Sequence, residues 1–505
     1  MTATRGPSTA RRPLWRLRRP EHRPPSPLPD FSATRLLQSV SPRVRLHPGK
    51  SGIVELRDGR DAFAARALLA DAAERTLDIQ YYIWRNDMSG ILLFDALRRA
   101  ADRGVRVRLL LDDNNTAGLD PLLSALNAHP KIEVRLFNPF GLRRWRVLNY
   151  FTDFARLNRR MHNKTFTADN QVTIVGGRNI GDEYFDAHQD FAFVDLDVLA
   201  IGPVVEDVSK DFERYWHSAS SYPAESILPN VDTAAIREIS AAAEAVVASP
   251  ASQTYMRALE TSRFVHDLLA GTLGYRWAVT HMVSDDPAKG LGRRGPRGTL
   301  LQRLEEVLGT PRHELQLISP YLVPTAEGAK MLASLAQRGV KITILTNSLD
   351  ATDVTAVHAG YAKRRRRMLQ SGITIYELMR TTWHRARGDR RITGSSGSSL
   401  HAKTFSVDRT RVFIGSFNLD PRSAALNTEI GFIMECPELA EDIASGLASR
   451  FPERCYQVQL RTGGRLAWIE PREDLKIVHH HEPNAPWWRR AFVSLLALLP
   501  IEWLL

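Results

Sequence analysis

Apolar side chains in the first half of the chain recur first with the period of a strand and then with that of a helix. Residues 76–84 alternate as a strand, and residues 90–102 carry apolar side chains at helical spacing. Arg103-Gly104 then ends the helix, since glycine is common just past a helix end. Residues 105–112 predict a second strand, so the order indicates a β-α-β unit.

The second half repeats this order. Residues 314–321 predict a strand, residues 327–337 a helix and residues 340–346 another strand. The two patterns could have arisen by convergence, or one framework could be present twice. In both cases the alternation of strands and helices predicts an α/β fold.

A motif of the form His-x-Lys-x4-Asp distinguishes these alternatives because both halves contain it. Its copies consist of His162, Lys164 and Asp169 and of His401, Lys403 and Asp408. The copies lie 239 residues apart (401 − 162), and each histidine follows Tyr82 or Tyr321 by 80 residues (162 − 82 and 401 − 321). Convergence would not give matching spacing over this length, so the sequence predicts a duplicated framework.

The spacing within each motif assigns different tasks to its residues. The histidine and lysine are two residues apart in strand-like surroundings, so on a strand they would face the same side. Each motif thus aims an imidazole and an ammonium group at one point. The aspartate follows its histidine by seven residues, an odd number that turns it away. We therefore expect Asp169 and Asp408 to be structural.

Three further pairs of residues follow the two motifs at matching distances. They are Gly177 and Ser416 at fifteen residues, Asn179 and Asn418 at seventeen, and Asp190 and Glu429 at twenty-eight. Glycine permits close backbone approach and an asparagine amide can donate to a phosphoryl oxygen, so the first pair is expected to bind substrate and the second to act in catalysis. A carboxylate hydrogen-bonded to a histidine would fix its tautomer, which is the role predicted for the last pair.

The charge of the chain indicates an anionic partner. Its 505 residues carry a net charge of +12 with a pI of about 9.8, which suits nucleic acid and anionic membrane equally. Two cysteines, Cys436 and Cys455, predict neither a disulfide framework nor a metal site, and a reducing compartment fits them best.

Composition outside the repeated framework predicts three further segments. Residues 1–30 are rich in arginine and proline and are expected to form a disordered basic arm. Residues 205–300 predict a helical insertion between two domains, with a flexible stretch near its end. Residues 486–505 combine tryptophan, arginine and leucine without reaching the length of a membrane span. This C-terminal segment either lies in a membrane interface or docks on the protein core, and the sequence leaves both open.

Both motifs resemble the signatures of the phospholipase D superfamily, and the resemblance covers about residues 50–435. It implies two tandem phospholipase D-like α/β domains, each a mixed sheet flanked by helices, related by pseudo-two-fold symmetry. We place these domains at residues 45–204 and 301–470. The resemblance also implies one shared site without metal or cofactor and a covalent phosphohistidine intermediate. By resemblance His162 is the nucleophile and His401 the acid, because the near-symmetric sequence cannot decide.

The ending, residues 499–502, is similar to that of the third type of bacterial cardiolipin synthase, without N-terminal transmembrane helices, and four further segments are similar to the bacterial cardiolipin synthases in general. They are residues 78–84, 108–113, 356–361 and 418–429. This similarity implies transfer of a phosphatidyl group onto phosphatidylglycerol, with phosphatidylglycerol or phosphatidylethanolamine as donor. It also implies peripheral attachment to the cytoplasmic side of the bacterial inner membrane. A small partner protein stays open, as do the donor lipid, the balance of transfer and hydrolysis, and the oligomeric state.

Aromatic and arginine residues ahead of both motifs suit a lipid substrate, and the tryptophans and leucines of residues 486–505 favour lipid over nucleic acid. Trp145 and Trp383 precede their histidines by 17 and 18 residues (162 − 145 and 401 − 383), among several arginines. The same mixture suits single-stranded nucleic acid, so a phosphodiesterase or nuclease of the superfamily is the main alternative. A membrane-binding scaffold without catalysis is the alternative from another class, and the complete paired motifs argue against it.

Overall fold

The fold is described from a computed structural model of the chain. It describes residues 29–187, 191–293, 295–296, 298–380, 397–472, 475–499 and 502. Most of the predicted basic arm, together with Asp190 and Trp383, lies outside these residues.

The first half contains nine strands and six helices among its described residues. Its strands are β1 Ser51–Leu56, β2 Thr76–Ile83, β3 Arg106–Asn115, β4 Ile132–Phe137, β5 Thr165–Ala168, β6 Val172–Gly176, β7 Phe191–Val194, β8 Asp197–Ile201 and β9 Ser221–Pro223. Its helices are α1 Arg35–Arg45, α2 Gly59–Ala72, α3 Met88–Asp102, α4 Asp120–Asn127, α5 Asn149–Leu157 and α6 Pro203–Trp216.

Three helices connect the halves, and the second half then repeats the plan of the first. The connecting helices are α7 Thr233–Val247, α8 Pro250–Glu260 and α9 Arg263–Leu269. The strands that follow are β10 Arg276–Ser284, β11 Glu314–Ile318, β12 Lys341–Asn347, β13 Thr374–Leu378, β14 Gly397–Leu400, β15 Thr404–Val407, β16 Arg411–Gly415, β17 Ile430–Glu435, β18 Cys455–Leu460, β19 Leu466–Arg472 and β20 Leu475–His479. The later helices are α10 Leu300–Leu308, α11 Thr325–Gln337, α12 Thr355–Gln370, α13 Pro421–Ala425, α14 Pro437–Ser445 and α15 Trp487–Leu498.

Strand pairing shows the duplication directly. The first half pairs in the order β9-β4-β3-β2-β5-β6-β8-β1, and the second half continues as β10-β17-β16-β15-β11-β12-β13-β18. The second order mirrors the first about the β1–β10 pair, which confirms the predicted pseudo-two-fold relation. In each half three strands are parallel, β2-β3-β4 and β11-β12-β13, and their outer neighbours are antiparallel. The mixed sheet flanked by helices is therefore the predicted fold class.

The predicted β-α-β unit forms for local reasons. The Asp87 side chain accepts the N–H of Gly90 and caps the start of α3, whose apolar side chains Leu93, Ala96 and Leu97 are buried. Gly104, at φ 96°, lets the chain leave the helix in a left-handed conformation that favours glycine. The carboxyl ends of β2 and β3 consequently reach the same edge of the sheet.

A shared core holds the two halves together. Apolar residues from both sheets, among them Val175 and Val198 of the first half and Ile414 and Phe432 of the second, form one buried cluster. The halves also share the antiparallel β1–β10 pair. Because apolar area is removed from water between them, the halves form one body with their motif edges facing each other.

The prediction of a helical insertion between two domains over residues 205–300 needs correction. Helices α7 to α9 follow it, but Arg276–Ser284 is strand β10 and lies at the centre of the sheet. The alternation of apolar and polar residues in β10 is weak, because burial varies along the strand. The helix over 487–498, in turn, packs on α12 through Val493 and Leu496, whereas its opposite face is exposed.

Candidate active site

Each motif histidine lies just before a strand and is held by the other half of the chain. The His162 N–H donates to the Thr428 carbonyl at 2.8 Å, and the Thr428 N–H donates to the Arg160 carbonyl at 2.9 Å. In the same way the His401 N–H donates to the Val194 carbonyl at 2.8 Å. These backbone contacts bring the carboxylate that follows Thr428 or Val194 to the histidine of the opposite half.

His162 pairs with Glu429. Its ring Nδ1 lies 2.8 Å from Glu429 Oε2, and both side chains are buried. The same oxygen accepts the Ser416 hydroxyl at 2.5 Å. The Glu429 carboxylate therefore orients the imidazole with Nδ1–H toward itself and leaves Nε2 available for chemistry. The sequence placed Glu429 beside a histidine, and the structure shows that this histidine belongs to the other half.

His401 pairs with Asp195, a residue that the sequence reasoning missed. His401 Nδ1 lies 2.5 Å from Asp195 Oδ2. The parallel pairing of β7 with β14 brings the two together, because Asp195 follows β7 directly and His401 follows β14. The other oxygen of Asp195 accepts the Leu196 N–H at 2.8 Å.

Equal spacing predicted Asp190 as a histidine partner. It lies outside the described residues, and Asp195 occupies the place beside His401. The spacing explains the difference: Asp195 follows His162 by 33 residues (195 − 162), whereas Glu429 follows His401 by 28 (429 − 401). The first half is therefore five residues longer before its carboxylate. Both carboxylates lie at the end of a strand, Asp195 directly after β7 and Glu429 directly before β17. This position is the sequence signal that could have identified Asp195.

Gly177 lies against the Asp195 carboxylate and Ser416 against the Glu429 carboxylate, so neither faces open space at the site. A Cβ atom on Gly177 would collide with the Asp195 carboxylate, whereas the Ser416 hydroxyl donates to Glu429. The shorter aspartate needs a glycine beneath it, and the longer glutamate reaches a serine. This geometry accounts for the difference between the halves, and it does not favour the predicted phosphoryl contact of either residue.

Gly177→Ala is expected to displace Asp195 from His401, because the added methyl group occupies the carboxylate position. We expect the turnover number to fall by about tenfold to 100-fold and the free energy of unfolding to fall by about 1–3 kcal/mol. Steady-state kinetics and thermal melting measure both effects. Ser416→Ala is the matched variant: it removes a hydrogen bond without a clash and should melt closer to the parent. Equal melting and turnover in Gly177→Ala and the parent would contradict this geometry.

The two motif lysines are buried beside the histidines. Lys164 Nζ donates to the His162 carbonyl at 2.6 Å, and Lys403 Nζ lies 3.0 Å from His401 Nδ1. Burial lowers the pKa of Lys403 to about 8 against the attraction of Asp195 and Glu429. Burial, aided by repulsion from Lys403, also holds the pKa of Lys164 well below its ordinary value. A bound phosphodiester anion would offset this cost, so both lysines are suited to hold phosphoryl oxygens.

The two histidines differ in electrostatic surroundings. Burial, followed by the charges of Lys164 and Lys403, lowers the pKa of His162 well below its ordinary value. Burial and Lys403 also lower the pKa of His401, but Asp195 opposes them. Burial raises the pKa of Glu429 to about 7, whereas His401 and Lys403 outweigh burial and hold the pKa of Asp195 well below its usual range. Asp195 therefore keeps its negative charge to lower pH than Glu429 does.

Arg178 is a second residue that spacing alone did not single out. Its buried guanidinium donates to the carbonyls of Leu56 at 2.7 Å and of Asp195 at 2.8 Å. Its charge also contributes to the low pKa of Asp195. Arg178 therefore fixes the backbone that carries Asp195 and acts as a positioning residue.

The side chains of Asn179 and Asn418 differ in their hydrogen bonds. The Asn179 amide donates to the Tyr184 hydroxyl at 2.9 Å, and its oxygen accepts the Ile83 N–H at 3.2 Å. The side-chain oxygen of buried Asn418 has no hydrogen-bond partner among the described residues. Asn418 can therefore turn its amide toward a substrate oxygen at lower cost than Asn179, although the sequence assigned both the same catalytic role.

A tyrosine packs edge-on against each histidine. Tyr82 meets the His162 ring at a centroid distance of 4.9 Å, and Tyr184 meets the His401 ring at 5.2 Å. Both tyrosines come from the first half. The equivalent of Tyr82 is Tyr321, whose hydroxyl donates to Asp353 at 2.7 Å instead. The site is therefore less symmetric than its motifs.

The motif aspartates fit the structural role expected from their odd spacing. The Asp169 carboxylate accepts the backbone N–H groups of Glu74, Arg75 and Thr76 at 2.7–2.9 Å. The Asp408 carboxylate does the same for Arg312, His313 and Glu314. Each aspartate thus ties the start of strand β2 or β11 to the turn after β5 or β15.

Asp169→Ala is expected to destabilise the fold, because it leaves three N–H groups at the start of β2, that of buried Thr76 among them, without their acceptor. The free energy of unfolding should fall by about 2–4 kcal/mol, read as a lower melting temperature. Asp169→Asn keeps one acceptor oxygen and tolerates the positive φ of 47° at this position, so it should lose less. A melting temperature unchanged in Asp169→Ala would show that these bonds contribute nothing.

The assembled site can perform nucleophilic phosphoryl transfer. Two imidazoles, each oriented by a carboxylate from the other half, stand beside two buried lysines. One imidazole can attack phosphorus while the other passes a proton to the leaving oxygen. The described residues contain no group of three or more His, Cys, Asp or Glu side chains arranged to hold a metal ion.

The chain is similar in sequence to known proteins over most of its length. A family model described as the phospholipase D-like domain of cardiolipin synthase matches residues 67–216 and 304–450. Cardiolipin synthase C of Escherichia coli (strain K12) is 51% identical over 478 residues, which cover 93% of this chain and 100% of that protein. An uncharacterised protein of Helicobacter pylori (strain J99) is 33% identical and covers 87% of this chain and 86% of its own length.

A solved structure shares the fold at low sequence identity. The phosphatidylserine synthase of Haemophilus influenzae Rd KW20 matches with a TM-score of 0.59 and 13% identity, covering 94% of this chain and 100% of that chain. This likeness concerns the fold alone.

Proposed function

Because this chain belongs to the cardiolipin synthase family of phospholipase D-like proteins, we propose that it transfers a phosphatidyl group onto phosphatidylglycerol and so forms cardiolipin. The observation that carries the proposal is the pair of cross-half contacts, His162 with Glu429 and His401 with Asp195. These contacts give each histidine a carboxylate partner within one site. A scaffold without catalysis would not need this arrangement. Phosphatidylglycerol or phosphatidylethanolamine would serve as donor.

In the first step His162 Nε2 attacks the phosphorus of the donor lipid. A nitrogen–phosphorus bond forms, and the bond from phosphorus to the headgroup oxygen breaks. His401 gives its proton to that oxygen, so glycerol or ethanolamine leaves as a neutral hydroxyl compound. The phosphatidyl group is then attached to His162. Lys164 and Lys403 balance the negative charge on the phosphoryl oxygens throughout.

In the second step a hydroxyl group of phosphatidylglycerol attacks the phosphohistidine. His401, now neutral, takes the proton of that hydroxyl, a new oxygen–phosphorus bond forms and the bond to His162 breaks. The product is cardiolipin, and both histidines return to their starting states. Water entering at this step would give phosphatidic acid instead, so the outcome depends on which acceptor reaches the phosphorus.

The asymmetry of the carboxylates supports the assignment of the two histidines. Asp195 stays an anion beside His401, and an adjacent anion favours the protonated form that an acid requires. Glu429, with a pKa raised to about 7, holds its charge less firmly beside His162. His162 therefore tends to be neutral, as a nucleophile must be. This reasoning leads to the same assignment as the family resemblance.

We further propose that the protein attaches peripherally to the cytoplasmic side of a bacterial inner membrane, where its lipid substrates lie. None of the helices among the described residues is long and apolar enough to cross a membrane. The buried cysteines Cys436 and Cys455 are free, as suits a reducing compartment.

A defined lipid assay tests the proposed function. The purified chain is incubated in detergent mixed micelles with phosphatidylglycerol alone or with phosphatidylglycerol and phosphatidylethanolamine, one lipid carrying a radioactive label in each reaction. Cardiolipin is the expected product, and label from the donor appears in it. Hydrolysis to phosphatidic acid alone, or cleavage of single-stranded DNA without lipid turnover, would overturn the proposal.

A further inference from the structure

Exposed apolar side chains concentrate in two short segments. Of the twenty large apolar side chains that are exposed among the described residues, six lie in residues 142–154 and six in residues 487–499. The first group is Leu142, Trp145, Val147, Leu148, Phe151 and Phe154, and the second is Trp487, Trp488, Phe492, Leu495, Leu498 and Leu499. Scattered apolar residues are normal on a protein surface, but two such clusters indicate contact with an apolar phase.

The first apolar segment, residues 142–154, is held rigidly although its apolar side chains point outward. The guanidinium groups of Arg143 and Arg146 bind Asp113 near the end of β3 and Asp120 at the start of α4, and thereby fix the segment. Trp145 is 63% exposed and Phe151 is 84% exposed. The segment is thus fastened by its polar side and presents its apolar side to the surroundings.

The second apolar segment, residues 487–499, is fastened in a comparable way. Arg489 donates to the Thr352 carbonyl at 2.9 Å and to the Thr355 hydroxyl at 3.2 Å, and Val493 is buried against α12. On the opposite face of α15, Trp487 is 74% exposed and Leu498 is 81% exposed. The helix therefore docks on the core with one face and leaves a second apolar face uncovered, which combines the two alternatives that the sequence left open.

Hydrogen bonds link the first segment to the end of β3 and the second segment to the loop after β12. The Tyr150 hydroxyl donates to Asn114 at 3.1 Å, and the neighbouring Asn115 amide donates to the carbonyl of Tyr82, whose ring packs on His162. In the second half, Arg489 holds the loop that carries Asp353, the acceptor of the Tyr321 hydroxyl. The loops after β3 and β12 are equivalent in the duplicated sheet. The two segments consequently flank the edges at which the two histidines meet.

Charge and side-chain type identify what covers these segments. Arg144 in the first segment and Arg490 in the second have no carboxylate partner within the part of the chain that the structure describes. Tryptophan prefers the boundary between headgroups and acyl chains, and unpaired arginine prefers anionic headgroups. A second copy of the chain covering both segments would also lie across the site and block lipid entry. A bilayer supplies the substrate instead of blocking it.

We infer that residues 142–154 and 487–499 form a two-part docking surface for a bilayer containing anionic phospholipid, with the active site between them. The inference rests on the proposed function, because docking in this orientation brings lipid headgroups to His162 and His401. The exposed side chains enter the interface, and the arginines remain among the headgroup phosphates. Trp383, which the sequence placed ahead of the second motif, lies outside the described residues.

Vesicle binding by full-length variants tests the docking surface. The variant Phe151→Asp/Leu498→Asp changes one strongly exposed residue in each segment, so the fold should be retained and is checked by thermal melting. The matched control is Leu269→Asp/Leu475→Asp, which changes residues 70% and 74% exposed outside both segments. Cosedimentation uses vesicles of equal parts phosphatidylglycerol and phosphatidylcholine, and vesicles of phosphatidylcholine alone.

The parent and the control are expected to bind the anionic vesicles, and the Phe151→Asp/Leu498→Asp variant about tenfold or more weakly. Its turnover of a monomeric, short-chain phosphatidylglycerol should remain near the parent level, because such a substrate needs no docking and neither residue contacts the histidines. Equal vesicle binding by both variants would overturn the inference. So would concentration-dependent dimers of the parent, seen by sedimentation, that only the Phe151→Asp/Leu498→Asp variant loses while its vesicle binding persists.

This design separates the inference from the proposed function. Vesicle binding by the parent without any cardiolipin formation in micelles would sink the function and leave the docking surface in place. Cardiolipin formation in micelles by a parent chain that does not bind vesicles would support the function and overturn the docking surface.

Discussion

Replacing His162 by alanine is expected to reduce cardiolipin formation on the order of 10⁴-fold or more, because no other group can form the bond to phosphorus. Replacing His401 by alanine should cost about 10²–10⁴-fold, the range typical of a lost general acid. Thin-layer analysis of labelled lipid products measures both losses. Either imidazole alone would lack its counterpart in the other half, so neither motif is expected to work by itself.

A donor with a p-nitrophenyl headgroup separates the two roles. The p-nitrophenolate anion leaves without being protonated, so the first step should survive in His401→Ala and release one p-nitrophenolate per active site in a burst. His162→Ala should give no burst. A burst in His162→Ala and none in His401→Ala would reverse the assignment. Substantial cardiolipin synthesis by either variant would refute the two-histidine site.

Asp195→Asn is expected to lower the turnover number by about 10²–10⁴-fold, by analogy with other carboxylates that orient a catalytic histidine. Its effect on pH dependence is more specific. Asp195 raises the pKa of His401, and the first step needs His401 protonated. Removing the charge lowers that pKa, so His401 loses its proton at lower pH. The alkaline limb of the pH–rate profile should therefore move to lower pH, by about one unit or more.

The pH profile separates this positioning role from a merely structural one. A variant that is only destabilised would lose activity at every pH and keep the limb in place. Asp190→Asn tests the position that equal spacing had favoured, and it should leave the limb unmoved. A shift in Asp190→Asn and none in Asp195→Asn would contradict the pairing with Asp195.

The fold was accessible from the sequence where the signal was local. Period-two and helical patterns predicted strands β2 and β3 and helix α3 within a few residues, and the constant offset of the motifs predicted the duplication. Strand β10 was missed because its neighbours, β1 and β17, come from opposite halves of the chain. Pairing over such distances leaves little trace in local composition. For α15, the sequence left open whether residues 486–505 dock on the core, and the structure shows one face packed on α12.

The site was predicted in its chemistry and only partly in its contacts. The histidines and lysines stand together, and the odd spacing of Asp169 and Asp408 agreed with their backbone contacts. The histidine partners could not be read from spacing, because each carboxylate comes from the other half. Five additional residues before Asp195 also remove it from the matching offset. The contacts of Gly177 with Asp195 and of Ser416 with Glu429 arise only in the folded chain, and the predicted substrate contacts of both residues stay predictions.

The central claim is that the two halves build one site that carries the phosphatidyl group on His162. The most direct measurement uses phosphatidylglycerol labelled at phosphorus with ³²P, denaturation of the enzyme in alkali during turnover, and mapping of labelled peptides. Label is expected on the peptide containing His162, and it should pass into cardiolipin when unlabelled phosphatidylglycerol is added. Cardiolipin formation without label on either histidine, or with label on His401, would contradict the account.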